Sequence, residues 1–187
     1  MKEAINMRLF IAINFTPEVK KQLYQIIQYL SKEAISGNFT RTSNLHLTLA
    51  FLGEVSSNRV QDIMKVMNQI AMGRESFVIE IGGLNKFVNH GELLYWCGIQ
   101  ENETLTNLQH ALIQGLKAYE FSVDDKPFRP HITLGRRCRM NSDFDENEFA
   151  KMISPIFMEV TTINLMKSEY KEGKLTYTSL GEAKLQG

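Results

Sequence analysis

One tetrapeptide pattern occurs twice in this chain. His46-Leu47-Thr48-Leu49 and His131-Ile132-Thr133-Leu134 both run histidine, apolar, threonine, apolar, and together they take two of the four histidines. In a β-strand alternate side chains point to one face. Each segment therefore predicts a strand that projects one imidazole and one hydroxyl side by side and turns two apolar residues into a core. Two such strands facing each other supply an acid, a base and two hydrogen-bond donors, a kit for cleaving a phosphoester without a metal.

The rest of the chain predicts what surrounds these strands. Residues 8–15 are apolar at nearly every position, a strand covered on both faces. Thr16 and Pro17 suit a helix start, and Val19, Leu23, Ile26, Ile27 and Leu30 recur at helical spacing to about Lys32. Gly37 ends the connection, so a short strand is expected over 39–42 and the first motif strand over 45–52, closed by Gly53. A second helix opens at Ser56 or Ser57, carries Val60, Ile63, Met64, Met67 and Ile70 on one stripe, and stops at Gly73. Strands follow over 77–81 and 93–99, with Gly82-Gly83 as a turn or bulge and Asn89-His90-Gly91 as a polar loop.

A third helix carries Leu105, Leu108, Leu112 and Leu116. Pro130 fits the entry of the second motif strand, expected over 131–135. The basic run Arg136-Arg137-Cys138-Arg139 beyond it reads as a solvated loop. A short helix falls within 143–153, and strands over 158–170 and 175–184 close the chain. Helices packed on largely antiparallel sheets account for this order, which is an α+β fold. Each motif follows a helix and a loop. That points to two pseudo-symmetric halves, each giving one motif to a shared cleft, within one domain over 1–187.

Composition narrows the function. A hydrophobic fraction of 43% with 22% charged residues is ordinary for a globular chain of 187 residues. The formal net charge is zero, so no global field draws in nucleic acid, although a local patch can still hold one RNA terminus. Cys97 and Cys138 make neither a paired metal spacing nor a disulfide framework, and Cys97 is expected to be buried. No signal-peptide pattern and no run long enough for a membrane span are present, so a cytoplasmic location follows by elimination. No membrane association and no obligate protein partner are expected.

The residue types fit hydrolysis of a 2′,3′-cyclic phosphate. Water must attack phosphorus on one side while a ribose oxygen leaves on the other. Histidine suits both proton transfers because its ordinary pKa is about 6.5. Thr48 and Thr133 can donate to the non-bridging phosphate oxygens, and Arg136 can neutralise them with parallel donors. His90 reads as a loop residue and His110 as a helix residue, neither with a catalytic pattern around it. A zinc site is the chemical rival, but Glu54, Asp124 and Asp125, the acids nearest the motifs, have no recognisable ligand spacing. No metal and no cofactor are expected.

The stretches around the motifs, Asn44-Leu45-His46-Leu47-Thr48-Leu49-Ala50-Phe51-Leu52-Gly53-Glu54-Val55 and Pro127-Phe128-Arg129-Pro130-His131-Ile132-Thr133-Leu134-Gly135-Arg136, resemble the two signatures of the RNA 2′,3′-cyclic phosphodiesterases. These belong to the two-histidine phosphoesterases and were first named 2′-5′ RNA ligases. The opening from Met7 and the closing Ser168-Glu169-Tyr170 are similar too. The resemblance implies a bilobal fold with a central cleft, no metal requirement, and RNA ends as substrate, opened to 2′-phosphates. It implies that His46 is the acid and His131 the base, with Thr48, Thr133 and Arg136 holding phosphate. Thr42 departs from a frequent proline, and Gly135 from the usual alanine. Other uses of the same site are a 2′-5′ oligonucleotide phosphodiesterase, a reversible 2′-5′ ligase, or a non-catalytic RNA-end binder. Phe10, Phe51, Phe87 and Tyr170 are the candidates for stacking a base.

Overall fold

The computed structural model describes residues 5–124 and 126–187, and the side chain of Asn89 is outside the description. Among the described residues nine strands form two antiparallel sheets. One has the order β3-β1-β8-β9, built from β1 (Asn6–Asn14), β3 (His46–Ser56), β8 (Thr162–Lys171) and β9 (Lys174–Lys184). The other has the order β2-β6-β5-β4-β7, built from β2 (Ala34–Phe39), β4 (Phe77–Asn89), β5 (Glu92–Ile99), β6 (His131–Met140) and β7 (Ile156–Val160). The helices are α1 (Pro17–Lys32), α2 (Val60–Ala71), α3 (Glu103–Ala118) and α4 (Glu146–Lys151). The α+β architecture is the one the sequence predicts. Among the described residues no helix is long and apolar enough to cross a membrane.

Helices α1 and α3 form where capping and periodicity agree. Thr16 caps α1, its hydroxyl accepting from the Val19 amide at 3.3 Å, and Pro17 takes the first turn. Val19, Leu23, Ile27 and Leu30 are buried along one stripe, each contributing about 1.5–3 kcal/mol of transfer energy. Asn102 caps α3 by accepting from the Leu105 amide at 2.9 Å, ahead of the buried Leu105, Leu108, Leu112 and Leu116. These stripes share one core with the inward residues of both sheets, among them Leu9, Ile11 and Ile13 of β1 and Tyr95 and Cys97 of β5. Tyr95 is 1% exposed, and its hydroxyl donates to Glu146 at 2.6 Å, which fastens α4 to the sheet. Burial and that carboxylate raise its pKa.

Several strand boundaries differ from expectation because glycines here bend strands without ending them. β2 spans Ala34–Phe39 and contains Gly37, while Thr42–Asn44 make a 3₁₀ turn. A Cβ on Gly37 would stand 3.1 Å from both Cys138 Sγ and the Phe39 ring, so the close approach to β6 calls for glycine. β3 continues through Gly53, which has φ +68°, to Ser56. β4 likewise runs through Gly82-Gly83, where it holds one extra residue against β5. β6 runs on to Met140, so the basic run belongs to a strand paired with β2 and β5, not to a loop. The closing segment breaks at Thr161, where the chain passes from one sheet (β7) to the other (β8).

Candidate active site

The two motif strands are built alike. The residue order of burial over His46–Phe51 is half-buried, buried, half-buried, buried, buried, exposed, and His131–Arg136 repeats it. In each strand one extra residue follows the threonine. Ile11 and Ala12 of β1 face Ala50 and Thr48, and Tyr95 and Trp96 of β5 face Gly135 and Thr133. Such a bulge shifts the alternation by one. Without it, Arg136 would lie on the face opposite His131 and Thr133. With it, the guanidinium returns to their face and stands 3.5 Å from the Thr133 hydroxyl.

The pseudo-equivalent of Arg136 in the first half is Phe51, 55% exposed. Gly135 is the small residue that the second bulge needs. A Cβ there would lie 2.8 Å from Cys138 Sγ and 3.0 Å from the Phe39 ring. The departure from alanine at this position therefore has a packing cause.

His46 sits on the face of its sheet that carries Phe10, Ala12, Met166 and Tyr177. Its ring packs at 5.0 Å from Phe10 and edge-on at 5.1 Å from Tyr177. Nδ1 is 2.7 Å from the Asn44 carbonyl oxygen, and Nε2 is 2.9 Å from the Thr48 hydroxyl. The loop that delivers it is tied to both sheets. The Thr40 amide donates to the Leu134 carbonyl at 2.8 Å, and the Asn44 amide side chain donates to the Leu175 carbonyl at 2.9 Å, where the Arg41 guanidinium also donates.

His131 is oriented in the same way, with Nδ1 2.8 Å from the Arg129 carbonyl oxygen. Its ring lies edge-on to Phe87 at 5.4 Å and to Trp96 at 5.8 Å, and those two stack on each other at 4.9 Å. The two motifs share one electrostatic environment. Burial lowers the pKa of His46 first; the Asn44 carbonyl opposes this, and the charges of Arg136, His131 and Lys20 lower it further. Burial raises the Tyr177 hydroxyl, against the pull of Arg136 and Arg8, so it remains a donor.

His46, Thr48, His131, Thr133 and Arg136 thus come together, while His90 at the β4–β5 turn and His110 on α3 are exposed elsewhere. Glu54 lies at the far end of β3, Asp124 pairs with Lys126 at 3.1 Å, and Asp125 lies outside the described residues. Among the described residues no three histidine, cysteine, aspartate or glutamate side chains gather around a point that could hold a metal ion. Both cysteines are buried, and burial pushes the Cys97 thiol up to about 12. Of the four stacking candidates, Phe10 is buried against His46, Phe87 stacks on Trp96, and Phe51 and Tyr170 are open to solvent. Tyr177, Trp96 and Asn44 are site residues that the motifs do not contain. For Trp96 the sequence carries a signal, its alternation with the buried Tyr95 and Cys97, which puts it on the other face.

Comparison with known proteins gives one answer. A model of the 2′-5′ RNA ligase superfamily matches residues 17–172. An RNA 2′,3′-cyclic phosphodiesterase of Thermotoga maritima is 36% identical over 131 residues, covering 70% of each chain. Another from Escherichia coli is 29% identical over 178 residues, covering 92% of this chain and 93% of its own. The crystal structure of E. coli LigT complexed with 3′-AMP superposes with a TM-score of 0.79 at 26% identity, over 98% of this chain and 100% of that one. The structure of TT0787 of Thermus thermophilus reaches 0.82 at 27% identity, over 97% and 99%. The chain therefore belongs to the 2′-5′ RNA ligase superfamily.

Proposed function

We propose that this chain is an RNA 2′,3′-cyclic phosphodiesterase that opens a terminal cyclic phosphate to a 2′-phosphate, with His46 and His131 as acid and base and no metal ion. The observation that carries the reading is the pair of bulged motif strands, one in each sheet, with matching burial order and a guanidinium beside the second threonine. The names of the relatives support the substrate. The two sheets act as the two halves of one bilobal unit, with the reacting phosphorus between them.

Each imidazole rests Nδ1 on a backbone carbonyl oxygen, which can only accept. Nδ1 therefore keeps its hydrogen, and Nε2 is the atom that gives or takes a proton. Family resemblance assigns His131 to take a proton from the attacking water and His46 to give one to the departing ribose 3′ oxygen. The Thr48 and Thr133 hydroxyls donate to the non-bridging oxygens, and Arg136 offsets their charge. Donors fixed on strands need little reorganisation as that charge grows. Before substrate binds, burial and neighbouring cations favour neutral His46. An anionic diester opposes those cations, so His46 takes up its proton together with the substrate.

The test is turnover of a 2′,3′-cyclic nucleotide in the presence of a chelator. Wild type should turn over at an unchanged rate, and His46→Ala and His131→Ala should each lose about a hundredfold or more while staying folded. A chelator-sensitive rate restored by zinc would overturn the metal-free reading, and full activity in either variant would overturn the roles of the histidines.

A further inference from the structure

Arg8 lies on the same sheet face as His46, further along β1. Its cross-strand partners are Glu54 on β3 and Ser168 on β8, and Ser168 pairs in turn with Tyr177 on β9. This row runs beside Phe10, whose ring touches both His46 and Tyr177. Tyr177 feels the charges of Arg136 and of Arg8 together, so it stands between the phosphate end of the cleft and Arg8.

Two cations of the neighbouring β8–β9 hairpin are committed. Lys167 and Lys171 both hold Glu169, at 2.7 and 2.9 Å. Arg59 and Arg137 also have carboxylate partners. Among the described residues no carboxylate pairs with Arg8, and Glu54 stays beyond ion-pair distance although it faces Arg8 across the ladder. An exposed guanidinium on a sheet face with no partner is poised for an outside anion.

Two solvent-facing aromatic rings flank it. Phe51, 55% exposed, stands 6.1 Å from Phe10, and Tyr170, 75% exposed, is two residues beyond Ser168 on β8. Basic and aromatic side chains interleaved in this way hold single-stranded nucleic acid, the cation on the backbone and the rings under bases. Two strand residues cover about 7 Å, so Arg8 lies beyond Phe10 by a step comparable with that between successive phosphates of a single strand.

We propose that Arg8, flanked by Phe51 and Tyr170, is a subsite for the phosphodiester that precedes the terminal cyclic phosphate, which makes an oligoribonucleotide end, not a mononucleotide, the preferred substrate. This rests on the cyclic phosphodiesterase reading above. Glu54 repels the same phosphodiester and keeps it on the β8 side of Arg8.

Three substrates test it: adenosine 2′,3′-cyclic phosphate, the dinucleotide ApA ending in a 2′,3′-cyclic phosphate, and that dinucleotide with an uncharged methylphosphonate between its nucleosides. Wild type should show a kcat/KM about tenfold higher for the charged dinucleotide than for the mononucleotide, an advantage that shrinks with salt. The methylphosphonate should lose it. Arg8→Ala should cost the charged dinucleotide about tenfold, far more than it costs the other two, with Arg8→Lys in between and Glu54→Gln widening the preference. Equal rates on all three substrates in wild type, an advantage that survives the methylphosphonate, or an equal loss on all three in Arg8→Ala would overturn the subsite and leave the activity standing. No turnover of any substrate would overturn both.

Discussion

His46 and His131 keep the same ring nitrogen, Nε2, off the backbone, because each sets Nδ1 against the carbonyl oxygen of the residue two positions earlier, Asn44 at 2.7 Å and Arg129 at 2.8 Å. This local brace repeats in both halves, although the strands belong to different sheets. In the proposed mechanism this brace leaves Nε2 to exchange protons in each motif, and the environments tell the two rings apart. His46 is crowded by Phe10 and Tyr177, and His131 by Phe87 and Trp96.

The lowered pKa of His46 predicts a difference between two pH profiles. The profile of kcat/KM reports the free enzyme, and that of kcat the bound complex. As the acid, His46 must be protonated, so its limb is the one where activity falls as pH rises. In kcat/KM that limb should lie below the ordinary histidine value of about 6.5. In kcat it should move to higher pH, because the bound diester favours imidazolium. Both apparent values belong to the coupled pair. A basic limb at one pH in both profiles would contradict the uptake of a proton with substrate.

The same group predicts a slope in stability. A histidine whose folded pKa is depressed is protonated first in the unfolded chain. Its contribution is fully present above about pH 6.5 and is lost as pH falls through that value toward the folded pKa. Chemical denaturation between pH 7.5 and 5 should show this loss, and His46→Gln should remove that part of it.

Asn44 is expected to act through His46. Its side chain ties the loop to Leu175 while its own carbonyl holds the imidazole. Asn44→Ala keeps the carbonyl and loses the tie. A drop in kcat of about tenfold, with KM little changed, is the expected outcome, since small misplacements of a reacting group are costly. A variant affected only in KM would argue against a positioning role.

Gly135→Ala should destabilise the fold by about 1–3 kcal/mol, as overpacking in a filled core does. The added methyl meets Cys138 Sγ and the Phe39 ring at 2.8 and 3.0 Å. Gly135→Ala combined with Cys138→Ala should recover part of the loss in a urea titration, because the closest clash is then gone.

Removing the Thr133 hydroxyl with valine should lower kcat by about a hundredfold and leave the melting temperature near wild type. Lysine at Arg136 should not restore full rate, because an ammonium cannot match two phosphate oxygens with parallel donors. Steady-state kinetics on a cyclic nucleotide checks both.

The paired motifs, the helix start at Thr16 and the antiparallel α+β plan follow from alternation, capping and helical spacing, which are local rules. What the sequence hides is non-local. A strict period of two puts Arg136 on the wrong face, and only the extra residue opposite Tyr95 and Trp96 returns it to His131. Gly53, Gly37 and the Gly82-Gly83 pair look like strand ends because glycine is common in turns, yet partner strands pull each into a continuing ladder. Tyr177 joins His46 only because β9 folds back toward the loop before β3, through Leu175 and Asn44. No short-range pattern marks that contact.

The most direct measurement of the central claim, that both imidazoles act on one phosphorus, is phosphorus NMR of a 2′,3′-cyclic nucleotide incubated with the chain under chelation. The cyclic signal should give way to the 2′-monoester alone, at a rate that collapses in His46→Ala and in His131→Ala. Formation of the 3′-monoester, or conversion that survives loss of either ring, would contradict that claim.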